Sequence, residues 1–135
     1  MKNDNHNTGN IGLHYACYQL AMKGWNVMPT ARNARGVDIL ANDATGKAIA
    51  IQVKTLSGIN PVNIKDVDTL AAGFLIVVMN ARGIKDGAPT CYVLTTKQAR
   101  KIVTPHATRP WIAVNKLTPF SGKWDTLGIT QAVKS

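Results

Sequence analysis

Three polar side chains fall close together where two apolar segments of the chain meet at a turn. Asp38 stands at the start of the first segment, and Gln52 and Lys54 stand near the end of the second, which runs from Lys47 to Thr55. Because side chains alternate along a strand, Gln52 and Lys54 share one face. If the two segments pair as a hairpin, Asp38 lies beside them. The sequence therefore predicts a carboxylate, an amide and an ammonium group gathered at one end of a sheet.

The residues alone leave two interpretations of this cluster open. An ammonium group at the end of an apolar strand is costly to bury without a partner, so Asp38 and Lys54 could form a purely structural ion pair. Such a pair contributes only ~0–1 kcal/mol when it is exposed. The small side chains of Ala48 and Ala50, on the same face, favour instead a cleft that a ligand can enter.

The elements that must position the cluster follow from hydrophobic periodicity. A helix is predicted from about Gly9 to Lys23, capped by Asn7 or Thr8, because apolar residues recur at helical spacing: Leu13, Cys17, Leu20 and Ala21. Three strands follow, and the turn residues 42–46 join the last two into a hairpin: Trp25 to Met28, Val37 to Ala41, and Lys47 to Thr55.

The second half of the chain continues this alternation. Phe74 to Met79 is an unbroken apolar run, which predicts a strand buried on both faces. A short helix from Asp66 to Ala72 precedes it, and a strand from Cys91 to Leu94 follows it. Thr95 or Thr96 is the expected cap of a helix that ends near Val103. The order predicts a mixed sheet with helices on its faces, of the α/β class, in a single domain spanning residues 1–135.

The charge balance favours a polyanionic partner. The chain has 16 Lys and Arg residues against 7 Asp and Glu residues, a formal net charge of +9. Phosphates attract such a surface and release counterions when they bind to it. A basic, solvated surface without a specific partner is the alternative.

The composition also bears on the compartment. Cys17 and Cys91 lie in apolar stretches outside any metal-binding spacing, so buried free thiols and a reducing compartment are expected. The polar segment 1–10 lacks the apolar core of a signal peptide, and no run of residues is apolar enough to span a membrane. We therefore expect a cytoplasmic protein that is not inserted in a membrane.

The residues of the predicted hairpin resemble a known family of nucleases. Gly36-Val37-Asp38 followed by Gln52-Val53-Lys54 resembles the core of the PD-(D/E)XK nuclease superfamily, in which an Asp opens one strand and an acid-x-Lys closes the next. It looks most like members with glutamine in place of the second acid. Three further segments look like parts of small stand-alone proteins of this type: residues 8–12, 24–27 and 124–127. The resemblance implies a restriction-endonuclease-like mixed β-sheet core flanked by helices.

The resemblance also implies roles for the clustered residues. Phosphodiester hydrolysis needs an activated water and stabilisation of charge on the phosphate, and Mg²⁺ provides both through oxygen ligands. Asp38 would be the principal ligand, with the side-chain oxygen of Gln52 and the backbone carbonyl of Val53 as partners. Lys54 would orient the water and offset charge at the scissile phosphate. Mn²⁺ is the expected substitute for Mg²⁺.

One position departs from the family pattern. Many relatives carry a Glu on the first helix just after its glycine, and here Leu13 follows Gly12. Leu13 cannot bind a metal, and His14, the next residue, points about 100° away around a helix. His14 is a weak candidate for the missing ligand, and a surface histidine is the alternative.

Several basic residues are candidates for contacts with nucleic acid. Arg32, Arg35 and Lys47 flank the hairpin and could clamp phosphates, although solvated turn charges explain them almost as well. A second basic patch falls on the late helix, where a solvated helix face is the alternative: Lys97, Arg100 and Lys101.

The leading hypothesis is a metal-dependent endonuclease that hydrolyses phosphodiester bonds in DNA, with DNA favoured over RNA. Two alternatives stay open: a catalytically weak or inactive nucleic-acid-binding protein on the same scaffold, and a subunit that needs a partner chain. A homodimer is consistent with the resemblance, since many nucleases of this class cut both strands as dimers.

Overall fold

A computed structural model describes residues 4–30, 36–64, 72–84 and 87–128. Its elements in chain order are α1 (Asp4–Met22), β1 (Asn26–Pro29), β2 (Ile39–Asn42), β3 (Ala48–Thr55), β4 (Val62–Asn63), β5 (Phe74–Met79), β6 (Thr90–Thr95), α2 (Thr96–Ile102), β7 (Trp111–Ile112) and α3 (Val114–Leu117), followed by the 3₁₀ turns Thr118–Phe120 and Trp124–Leu127.

The strands form a five-stranded sheet in the order β1-β2-β3-β5-β6 and a two-stranded sheet of β4 and β7. In the larger sheet β3 and β5 run parallel, and the other neighbouring pairs are antiparallel. The fold is therefore a mixed sheet flanked by helices in the α/β class, as the sequence predicts.

Each face of the sheet carries its own apolar core. On one face α1 packs on the hairpin and on alternate residues of β5, with Leu20, Ile51 and Ile76 fully buried. On the other face the remaining residues of β5 meet α2, α3 and the small sheet, with Val77 and Leu117 fully buried. The prediction that Phe74 to Met79 is buried on both faces is confirmed.

Most element boundaries differ from the sequence prediction by a residue or two, and two of the differences bear on caps and on the site. The first helix begins at Asp4 instead of near Gly9, so Asn7 and Thr8 lie inside it and neither is its cap. The strand predicted from Val37 begins at Ile39. By contrast, Thr95 caps α2 as predicted, because its side chain accepts the Gln98 N–H at 3.0 Å in a capping box.

The helix α1 lies directly on β3. A Cβ atom at Gly12 would overlap the side chain of Thr55, so only glycine allows this approach. Both cysteines are free thiols, Cys91 buried and Cys17 partly buried. The helix predicted from Asp66 to Ala72 falls almost entirely outside the described residues.

Candidate active site

The chain changes its backbone pairing at Asp38, just before β2 begins. The Asp38 carbonyl accepts the Thr30 N–H on the β1 side, and its own N–H donates to the Ile51 carbonyl on the β3 side, both at 2.9 Å. The strand register already pairs Ile51 with Ile39. Two consecutive residues therefore oppose Ile51, as in a β-bulge, a feature that redirects side chains near functional sites.

Just before β2 begins, the Asp38 carboxylate replaces the backbone as the hydrogen-bond acceptor for β3. Its Oδ2 accepts the Val53 N–H at 2.7 Å. A strand residue directs its N–H and C=O toward the same neighbour, so the Val53 carbonyl faces this side as well. The carboxylate thus holds the hairpin at its open end and still faces the cavity described next.

A cavity of about 250 Å³ opens between the first half of α1 and the ends of β2 and β3. The residues that line it come from both elements and from the end of β1: Gly9, Asn10, Leu13, Thr30, Asp38, Val53, Lys54 and Thr55. Asp38 and Lys54 therefore meet at one cavity. Their acid and ammonium groups form no ion pair with each other or with another of the described residues, which speaks against a purely structural pairing.

Gln52 does not line this cavity, and its register partner Leu75 packs in the core on the sheet face away from α1. Its Oε1 is buried and has no hydrogen-bond partner among the described residues. A buried acceptor without a partner costs about 1–3 kcal/mol. A bound cation that takes this oxygen as a ligand would remove that cost.

The oxygen donors here fit a hard cation that keeps most of its water. Asp38 supplies a carboxylate, and the Val53 carbonyl is directed to its side of the strand. The Gln52 amide oxygen has no hydrogen-bond partner among the described residues but does not line the cavity. Mg²⁺ is commonly held by one or two carboxylates together with water. In the part of the chain that the structure describes, there is no group of three or more His, Cys, Asp or Glu side chains that could hold a metal ion.

The other predicted candidates lie elsewhere. His14 is exposed on α1 and does not line the cavity. Lys47 is exposed at the opposite end of β3, seven residues from Lys54, or roughly 23 Å along a strand. Arg32 and Arg35 fall outside the described residues. Lys47 is thus not brought to the cavity.

Three polar residues at the cavity are not predicted from the sequence. Thr30 and Thr55 line it from the strands, and Asn10 lines it from α1. For Asn10 a signal is present, because it lies three residues before Leu13 and therefore on the same side of the helix. The two threonines carry no such signal, since only the fold brings them to the cavity.

Comparison with known proteins supports the fold. No protein-family model matches the chain, and no curated protein matches it in sequence. Among solved structures, a bacterial homing endonuclease, I-Ssp6803I, is similar over 89% of this chain and 88% of its own, with a TM-score of 0.64 and 13% sequence identity. The chain therefore has a nuclease-like fold. None of the described helices is both long and apolar enough to cross a membrane.

Proposed function

We propose that this protein is a metal-dependent endonuclease that hydrolyses phosphodiester bonds in DNA, with the 135 residues acting as one nuclease domain of the PD-(D/E)XK type. The observation that carries the proposal is the cavity at which Asp38 and Lys54 meet without forming an ion pair with each other. The structural likeness to a homing endonuclease and the net charge of +9 support DNA as the substrate.

The residues divide the chemistry between them. Asp38, Gln52 and the Val53 carbonyl would hold Mg²⁺, with Mn²⁺ as a substitute. When bound, the ion supplies charge stabilisation at the phosphate and activates water. Lys54 would orient the attacking water and offset negative charge on the phosphate. Leu13 keeps one wall apolar, which limits stray water near the reacting group.

The test is cleavage of supercoiled, linear, branched and single-stranded DNA by the purified protein with Mg²⁺ or Mn²⁺, together with metal titration. Lys54→Met should abolish cleavage while the protein stays folded. His14→Ala is the matched control, because His14 is exposed on the same helix that lines the cavity yet does not line it. Absence of both cleavage and metal binding would refute the proposal.

A second candidate rests on Leu13, which lines the cavity at the position where the resembled nucleases carry an acid. With Gln52 also neutral, the protein could bind DNA without cutting it. In that case DNA binding is salt-sensitive and Asp38→Ala leaves it nearly intact. Cleavage by the wild type that Asp38→Ala abolishes would exclude this second candidate.

A further inference from the structure

The turn after β5 presents an arginine on a fixed backbone. Asn80 has a φ of 56°, and its buried side-chain amide donates to the Ala88 carbonyl at 2.9 Å. The Gly83 N–H then closes the turn on the Asn80 carbonyl at 2.9 Å. Arg82 lies inside this turn and is exposed. The position of its Cα is therefore set by the turn.

Two hydrogen bonds connect this turn to residues that neighbour the cavity lining in sequence. On one side, the Ala81 N–H donates at 3.0 Å to the carbonyl of Leu56, which directly follows the cavity residues Lys54 and Thr55. On the other side, the Arg82 guanidinium donates at 3.3 Å to the hydroxyl of Thr8, which directly precedes the cavity residue Gly9. The turn of Arg82 therefore contacts α1 and the segment after β3 next to residues that line the cavity, although Arg82 itself does not line it.

The Arg82 guanidinium uses only part of its hydrogen-bonding capacity within the described residues. Its hydrogen bond within the described residues goes to the buried Thr8 hydroxyl, while an arginine has five N–H donors in a planar fork. No carboxylate among the described residues forms an ion pair with it. A planar fork that is oriented by one bond and has further donors suits a phosphate, which can accept two parallel N–H bonds.

We propose that Arg82 binds a backbone phosphate of the DNA strand that enters the cavity, and that Thr8 fixes the direction of its guanidinium. The assignment rests on the proposed function only in taking DNA as the substrate. It does not depend on the metal or on cleavage, so it can be tested by binding alone.

The experiment measures the binding of a labelled DNA duplex by fluorescence anisotropy over a series of salt concentrations, in EDTA so that no strand is cut. Arg82→Ala should weaken binding roughly tenfold, the loss of one charge-assisted contact. It should also reduce the slope of log K against log salt by about 0.9, the value for one phosphate contact. Arg82→Lys should restore the slope but not the full affinity, because lysine keeps the charge and loses the fork.

Arg109→Ala is the matched control. Arg109 is exposed in a turn that does not line the cavity, and its substitution removes the same single charge. Equal changes of slope in the two alanine variants would overturn the assignment of Arg82. A wild-type protein that binds no duplex would overturn both the assignment and the proposed function. Binding that depends on Arg82, in a protein that never cleaves DNA, would support the assignment and overturn only the catalytic function.

Discussion

The two ends of the β2–β3 hairpin each carry an aspartate, and the two are used differently. At the turn, Asp43 Oδ1 accepts hydrogen bonds from the Thr45 N–H, the Thr45 hydroxyl and the Lys47 N–H, at 2.6 to 3.0 Å. At the open end, Asp38 accepts one side-chain hydrogen bond within the described residues, from the Val53 N–H, and faces a cavity. Asp43 is satisfied by its own turn, whereas Asp38 keeps capacity for a ligand.

In this hairpin, residue type alone does not distinguish a ligand-binding aspartate from a structural one. Both residues are carboxylates in the same hairpin, and an aspartate among turn residues is common for structural reasons. What separates them is how much of the hydrogen-bonding capacity the protein itself uses. Substitutions at the two ends should therefore separate catalysis from stability.

The largest expected effect is at the open end. Asp38→Asn should lower cleavage by roughly 10³-fold or more, because the amide keeps an acceptor for the Val53 N–H but loses the charge that binds the metal. Asp43→Asn should leave cleavage unchanged. Initial rates on supercoiled DNA, measured beside the melting temperatures of both variants, give the answer. Equal loss of activity in both would remove the distinction between the two ends.

The next effect concerns Gln52. Gln52→Leu should lower cleavage, though less than Asp38→Asn does. It should leave stability equal or higher by up to about 1–3 kcal/mol, since it removes a buried acceptor without a partner among the described residues. A functional side chain that lowers stability is a common compromise. Denaturant unfolding measures the gain. A variant clearly less stable than the wild type would show that Gln52 serves packing.

A third effect tests how α1 closes the open end. Gly12→Ala should destabilise the protein by about 1–3 kcal/mol, because the added methyl group overlaps Thr55. Gly9→Ala, one turn earlier, has nothing within 4 Å of the added atom and should stabilise the helix by up to about 1 kcal/mol. Thermal unfolding of both variants distinguishes close packing from helix propensity. A loss of similar size in both would exclude the Gly12–Thr55 contact as the cause.

The smallest effect belongs to the turn end and depends on pH. The hydrogen bond from Thr45 lowers the pKa of Asp43, helped by the backbone bonds of the turn. Because the folded pKa lies below the unfolded one, the associated stability is present above the unfolded pKa and is lost as pH falls through the folded one. Asp43→Asn should therefore be slightly less stable than the wild type near pH 7. The difference in melting temperature should vanish in acid, and a constant difference across the pH range would contradict it.

Strong local signals explain what could be predicted from the sequence. The unbroken run Phe74 to Met79 and the cap at Thr95 each carry their own periodicity or chemistry, and both elements form as predicted. The first turns of α1 carry little such signal, because residues 4–10 are polar and include a glycine. They are helical where tertiary contacts hold them, such as the bond from Arg82 to Thr8. The pairing of β4 with β7 could not be predicted either, because strands of two residues are too short to show a hydrophobic period.

The candidate site shows the same division. The sequence predicts that Asp38 lies beside Gln52 and Lys54. The structure brings Asp38 and Lys54 to one cavity, which Gln52 does not line. The backbone irregularity at Asp38 and the approach of Gly12 to Thr55 could not be predicted, because each depends on contacts between distant parts of the chain. These contacts shape the cavity, so the positions of Thr30 and Thr55 at its wall emerge only from the fold.

The interior strand β5 links the stability of the two apolar cores, one on each face of the sheet. Its side chains alternate between the two cores, so neither core can open without exposing part of the other. Under native conditions the amide protons of β5 should be among the last to exchange with deuterium, and only through global unfolding. Breathing motions are then confined to the edges of the sheet, and the parallel partner β3, which carries Gln52 and Lys54, is hydrogen-bonded to the most slowly exchanging strand of the protein.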